Sequence, residues 1–334
     1  DKSITMFGFA TGTLTDLTPV LDPQEPTVVV WMDADAADAN LLVWDSSGPA
    51  WVVPTSDPSG AWNLGERSVA GDLSDDGTRV VFRDQTGDIY VGSLADRSST
   101  LLATNPGFAT PQFVTGDRVL LQTTTGLLLI EPDGSQRGLW ETPDEVFPLS
   151  RPWIGPGGTT AVVGFGTDEP TWLHVSLPDG AVSPLALGEM RVLTATPGFV
   201  VLAETREATP PMVDALAVVD LAAGSVTFAT LPADGAQPAA IASPGGDALV
   251  LTGASGVYLF DLGDGSLTSL GPGVRAARFS PDGTRLVLDV WDGSDRGSAD
   301  IAIVPTADPA DPEALGALGA LGAHCVQPVW VPAG

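Results

Sequence analysis

The stretch Phe279-Ser280-Pro281-Asp282-Gly283-Thr284-Arg285-Leu286-Val287-Leu288 decides how the rest of the chain is read. Pro281 fixes φ at about −65°, which suits the first central position of a turn. Asp282 tolerates bridge or left-handed geometry, and Gly283 accepts positive φ without a Cβ clash. Beyond the turn, Leu286 and Leu288 alternate with Val287 and Asp289, as residues on a strand do. One such hairpin would be unremarked. Weaker copies of it recur along most of the chain.

Leu73-Ser74-Asp75-Asp76-Gly77 precedes Val80–Phe82, and Phe113–Gly116 precedes Val119–Leu121. Trp153–Gly157 precedes Ala161–Val163, Ala195–Gly198 precedes Val200–Leu202, and Ala242–Gly245 precedes Leu249–Leu251. The turn glycines at 77, 116, 157, 198, 245 and 283 lie 38 to 47 residues apart. A period of about 40 residues with four short strands per unit is the pattern of a β-propeller blade.

The Ser-Pro-Asp-Gly turn, the apolar strand, the polar hairpin and the closing Tyr/Leu-Val-Asp-Leu resemble the TolB-type, WD-repeat-like β-propeller repeat. The likeness is clearest at residues 73–94, 240–262 and 277–304, and it covers roughly residues 67–334. The middle units lack the turn aspartate at Gly116, Gly157 and Gly198. The resemblance implies a fold and is nearly silent on function. The count of units departs from TolB itself, so its partners are not carried over.

The two ends bear on that count. Val329-Trp330-Val331 matches the start of a unit, while Val28–Met32, Leu41–Asp45 and Ala50–Val53 read as three strands lacking a first. The expected fold is therefore all-β: a seven-bladed β-propeller of four-stranded antiparallel blades, closed by pairing of the C-terminal strand with the N-terminal strands. Closure removes two unpaired sheet edges. Residues 1–26 form an N-terminal extension or docking arm, and 27–334 a single propeller domain. Within 311–323, Asp311-Pro312-Glu313 is a helix start, but Gly316, Gly319 and Gly322 oppose a helix, and a loop with an outer strand is expected.

The chain carries 42 acidic residues against 14 basic ones, a net charge of −28. Such a surface repels phosphate backbones, which excludes nucleic acid as an expected partner and favours cations, basic proteins or solubility at high ionic strength. Cys325 is the single cysteine, so no intrachain disulfide or cysteine-based zinc finger forms. No apolar run is long enough for a membrane span. The chain begins at Asp1, which is compatible with a removed leader, and a secreted, periplasmic or cell-surface location is expected.

Catalytic motifs are sparse: there is no His-Glu-x-x-His, phosphate loop or Gly-x-Ser-x-Gly elbow. His174 reads as a structural strand residue. His324 and Cys325 are neighbours that extended backbone points apart. The strongest candidate site is acidic. Asp33, Asp35 and Asp38 follow Trp31, and Asp292, Asp295, Arg296 and Asp300 follow Trp291. If ring closure made the two loops neighbours, Asp33, Asp35, Asp38, Asp292 and Asp295 could ligate Ca²⁺, or the carboxylates could receive a basic partner with the tryptophans as apolar anchors. The plain alternative is solvated loops with both tryptophans packed between blades. The loop Glu204–Met212, with Arg206, is a further contact candidate.

The expected function is that of a non-catalytic binding or scaffold propeller engaged in protein–protein interaction. Two alternatives accompany it: a subunit of a larger extracellular assembly docked through residues 1–26, and a lactonase- or lyase-like enzyme at the central channel. The channel reading would need converging polar groups, for which Asp72, Asp75, Asp76, Arg151 and Arg278 are the nearest.

Overall fold

The computed structural model describes residues 5–8, 13–16, 29–34 and 39–309, apart from 46–49, 66–67, 108, 143–145, 167–169, 207–211, 231–235, 254–255, 281, 292–298 and 308. Outside the described residues lie the expected closing strand at 329–331, the segment 311–323, His324 and Cys325.

The described chain is nearly all strand. Thr5–Gly8 and Thr13–Asp16 form a hairpin of their own. Blade 1 follows as Val29–Ala34, Asn40–Asp45, Ala50–Pro54 and Trp62–Asn63, and blade 2 as Ser68–Leu73, Arg79–Asp84, Ile89–Ser93 and Ser98–Ala103. Blade 3 is Ala109–Val114, Arg118–Thr123, Gly126–Ile130 and Gln136–Glu141, and blade 4 is Trp153–Ile154, Thr160–Phe165, Thr171–Ser176 and Ala181–Leu185. Blade 5 is Arg191–Ala195, Phe199–Arg206, Met212–Asp220 and Val226–Thr230, and blade 6 is Ala236–Ala242, Ala248–Gly253, Gly256–Asp261 and Leu267–Ser269. Val274–Phe279, Arg285–Trp291 and Ala299–Pro305 are the three described strands of blade 7. This succession is the architecture of a seven-bladed β-propeller. A single pairing, Val213 with Ala236, joins blades 5 and 6 into one eight-stranded sheet.

The chain divides into two compact units, Asp1–Pro152 with Gly157–Thr167 and Val175–Ser183, and Trp153–Pro156 with Asp168–His174 and Pro184–Gly334. In the first, the second strand of blade 2 shows how a core forms between blades. Val80 and Phe82 pack with Leu42, Ala50 and Val52 of blade 1, while Val81 packs with Val119, Leu121 and Ile130 of blade 3. Alternate side chains leave opposite faces of a strand, so the middle of a strand flanked by two blades, here Val80–Phe82, is apolar on both faces. The outer strand Gln136–Glu141 has one covered face at most and is largely exposed. In the second unit the same logic joins Val201, Leu216 and Val218 to Leu249, Leu251 and Phe260. It also joins Val250 and Leu259 to Ala277, Leu286 and Leu288.

The repeat turn is built as its residues dictate. In blade 7, Asp282 Oδ1 accepts the Ser280 hydroxyl at 2.5 Å, the Thr284 amide at 3.0 Å and the Thr284 hydroxyl at 2.8 Å. In blade 2, Asp76 makes the same three bonds with Ser74 and Thr78. Gly77 and Gly283 sit at φ of 64° and 71°, where an L side chain is strained. In blade 6 the turn glycine is Gly246, at φ 70°, and not Gly245. Its amide donates to Ser243, as Gly77 does to Ser74 and Gly283 to Ser280. Gly245 stands where the other two turns have aspartate, and Asp247 takes the Ser243 hydroxyl instead.

One hydrogen bond recurs between the second and third strands of blades 2 and 4 to 7. The amide just after the third strand donates to the carbonyl just before the second: Leu94 to Thr78, Leu177 to Thr159, Leu221 to Gly198, Leu262 to Asp247 and Thr306 to Thr284, at 2.8–2.9 Å. Blade 1 has this bond from Thr55 to Ala39, also at 2.9 Å. Val29–Ala34, Asn40–Asp45, Ala50–Pro54 and Trp62–Asn63 form one four-stranded sheet in that order. Three N-terminal strands are expected and four are found, Trp62–Asn63 being the last in the sheet; the expected closing strand at 329–331 lies outside the described residues.

Candidate docking site

The acidic candidates fall on the links of blades 1 and 7 or beside them. The link after Asp33 joins the first and second strands of blade 1, the position of Ser74–Gly77 in blade 2; Asn40 Nδ2 donates to the Gly77 carbonyl at 3.5 Å. The link 292–298 joins the second and third strands of blade 7.

Trp31 and Asp33 lie on the first strand of blade 1, in register with Trp44 and Leu42. Trp291 pairs with Ala299 and Asp300 with Val290, so these two positions frame the 292–298 link. Arg206 pairs with Met212 at the end of a strand ladder rather than lying in a loop. Asp35, Asp38, Asp292, Asp295 and Arg296 fall outside the described residues. Among the described residues no group of three His, Cys, Asp or Glu side chains is placed to hold a metal ion. His174 Nε2 donates to the Leu221 carbonyl at 3.1 Å, and its ring lies so close to Gly224 that a Cβ there would sit 2.6 Å from Nδ1. Of the polar residues nearest the expected channel, Asp72 accepts the Phe113 amide and Asp76 is held in its turn.

A different site emerges in the linker before blade 4. Four large apolar side chains are exposed among the described residues: Leu101, Phe228, Phe147 and Leu149. Leu101 and Phe228 stand singly on outer strands. Phe147 and Leu149 are two residues apart, 66% and 40% exposed, and share one side of an extended segment. That segment is held by its backbone. The Val146 amide donates to Thr124, the Leu149 amide to Gly164, and the Gly166 amide to the Phe147 carbonyl, each at 3.0 Å. Pro148 bridges Phe165 across the pair.

The ground beneath this ledge is rigid. Phe165 is fully buried, and its ring packs on Trp140 with centroids 4.9 Å apart. Gly126, at φ 144°, lets the backbone of Trp140 approach so closely that a Cβ would meet the Trp140 carbonyl at 2.1 Å. The turn that receives Val146 also walls a cavity of about 270 Å³ lined by Thr125, Leu127, Trp140 and Glu141. The arrangement is an apolar pair fixed by main-chain bonds, beside an aromatic-walled hollow, with Glu141, Asp144 and Glu145 in the adjoining sequence. Hot spots of protein interfaces combine apolar anchors with a polar rim in this way. Nothing in the sequence marked the ledge, because Phe147-Pro148-Leu149 reads like any apolar run.

No family model matches the chain, and no curated protein matches it. Among solved structures it is similar to an oligogalacturonate lyase in complex with manganese, at 11% identity and a TM-score of 0.46, over 90% of this chain and 82% of that one. At that similarity the lyase lends no support to any activity here. No helix among the described residues is long and apolar enough to cross a membrane.

Proposed function

We propose that this protein is a non-catalytic binding propeller, working in an exported or cell-envelope setting, that docks a protein partner on the Phe147–Leu149 ledge. The observation that carries the reading is the exposure of Phe147 on a backbone fixed by three hydrogen bonds. A large aromatic ring in water on a rigid support gains by being covered, and burying it is worth about 2 kcal/mol. Acidic residues predominate on this chain, and Asp144 and Glu145 precede the ledge in sequence, so the partner pairs an apolar anchor with basic neighbours. The test is affinity capture from native extract with wild type and a Phe147→Asp/Leu149→Asp variant as baits. Specific proteins retained by wild type and lost by the variant, released as salt rises, support the reading. Identical retention by both baits removes it.

A second reading rests on the N-terminal hairpin, which pairs with no blade strand among the described residues. A lone two-stranded hairpin is marginal in water and gains from a neighbouring subunit. Deleting residues 1–26 and comparing elution volumes distinguishes the two: a shift to a smaller assembly favours docking through the hairpin.

A further inference from the structure

Between blades 1 and 2 the chain forms an open pocket of about 390 Å³. Its size falls in the range of small-ligand sites. Phe82 and Tyr90 make its aromatic wall, stacked at 5.4 Å with an interplanar angle of 15°. Leu64 and Ser68, both buried, close it from the blade 1 side, and Ser99 stands exposed at its mouth. Ser68 is spent on structure: its hydroxyl accepts the Ala50 amide and donates to the Gly65 carbonyl, each at 3.0 Å.

The remaining polar group is Asp84, half-buried in the lining. Its Oδ1 accepts the Thr86 amide at 2.9 Å, the Thr86 hydroxyl at 2.7 Å and the Asp88 amide at 3.0 Å. Those bonds lock the carboxylate in one orientation through the hairpin turn. Its Oδ2 accepts no hydrogen bond from the described residues. The Tyr90 phenol is pushed up by desolvation and then by the charges of Asp84 and Asp88, and the Arg83 guanidinium next in sequence also feels the Asp84 charge.

An oriented carboxylate in a pocket lined by aromatic side chains is complementary to one chemical group above others. A guanidinium is planar, lies against a ring, and offers paired N–H donors to a carboxylate. An ammonium makes a point contact only, and a neutral amide has no charge to answer Asp84. We propose that this pocket is a binding site for an arginine side chain presented by a partner protein. The site is separate from the Phe147–Leu149 ledge and does not depend on it.

The experiment titrates ¹⁵N-labelled protein with N-acetyl-arginine amide and, in parallel, with its neutral isostere N-acetyl-citrulline amide. Saturable shifts of the Gly65, Thr86 and Asp88 amides with the arginine compound, absent with the citrulline compound, are expected. Asp84→Asn keeps an oxygen for the turn but removes the charge, and it weakens binding by about tenfold or more. Ser99→Phe fills the mouth without touching Asp84 and causes a similar loss. Equal binding of the two compounds overturns the proposal, as does unchanged affinity in both variants.

Discussion

Asp72 of blade 2 accepts, through Oδ2, the backbone amide of Phe113 in blade 3 at 2.8 Å. The bond crosses between the first strands of adjacent blades, 41 residues apart. It satisfies an amide at a position that the sheet of blade 3 leaves without a partner on that side. Asp72→Ala orphans that donor and is expected to cost about 1–3 kcal/mol. Asp72→Asn, which retains an acceptor, costs less. Denaturant melts of the two variants provide the check, and equal stability of wild type and Asp72→Ala would remove the staple from the account.

Trp62 and Gly92 make a second contact between blades 1 and 2. A Cβ on Gly92 would lie 2.6 Å from Cη2 of Trp62. Gly92→Ala therefore overpacks the seam, with an expected loss of about 1–3 kcal/mol. Trimming the ring in Trp62→Leu/Gly92→Ala should recover part of that loss. A double-mutant cycle reads the coupling directly, and strictly additive effects would show that the two residues do not press on each other.

Acid reaches the carboxylates of the repeat turns only at low pH. Hydrogen bonds from Ser74 and then Thr78 hold Asp76 down to about 2, from its ordinary 3.8, and those from Ser280 and then Thr284 do the same for Asp282. A carboxylate with a lowered folded pKa stabilises the protein above its unfolded pKa, and that stability is lost as pH falls through the folded value. The Asp76→Asn/Asp282→Asn variant should thus be less stable than wild type at neutral pH, with the gap closing between pH of about 4 and about 2. A gap that stays constant over that window would mean the charges contribute nothing.

Surface chemistry at the ledge should separate from stability. Phe147→Asp/Leu149→Asp leaves the backbone bonds of 146–149 in place, so its melting curve should lie within about 0.5 kcal/mol of wild type. A cooperative loss of several kcal/mol would mean that Phe147 is part of the core and not a docking residue.

The local rules carried the sequence a long way. Ser280, Asp282 and Thr284 close a turn among themselves, and the middle of a strand flanked by two blades is apolar on both faces, so blade spacing and the propeller class were legible from order alone. Local chemistry also explains why Gly245 was mistaken for the turn glycine: both residues of Gly245-Gly246 permit positive φ, and only the bond to Ser243 selects the second. The rest depended on contacts between residues distant in sequence. That the N-terminal segment holds four strands was decided by Trp62–Asn63 pairing with Ala50–Pro54, since no Ser-Pro-Asp-Gly turn marks that sheet. Phe147 and Leu149 look as apolar as the core residues around them, and exposure belongs to the packed chain rather than to the residue. The Asp84 pocket likewise exists because folding sets Leu64 and Ser68 against Phe82 and Tyr90, and no spacing along the chain encodes that meeting.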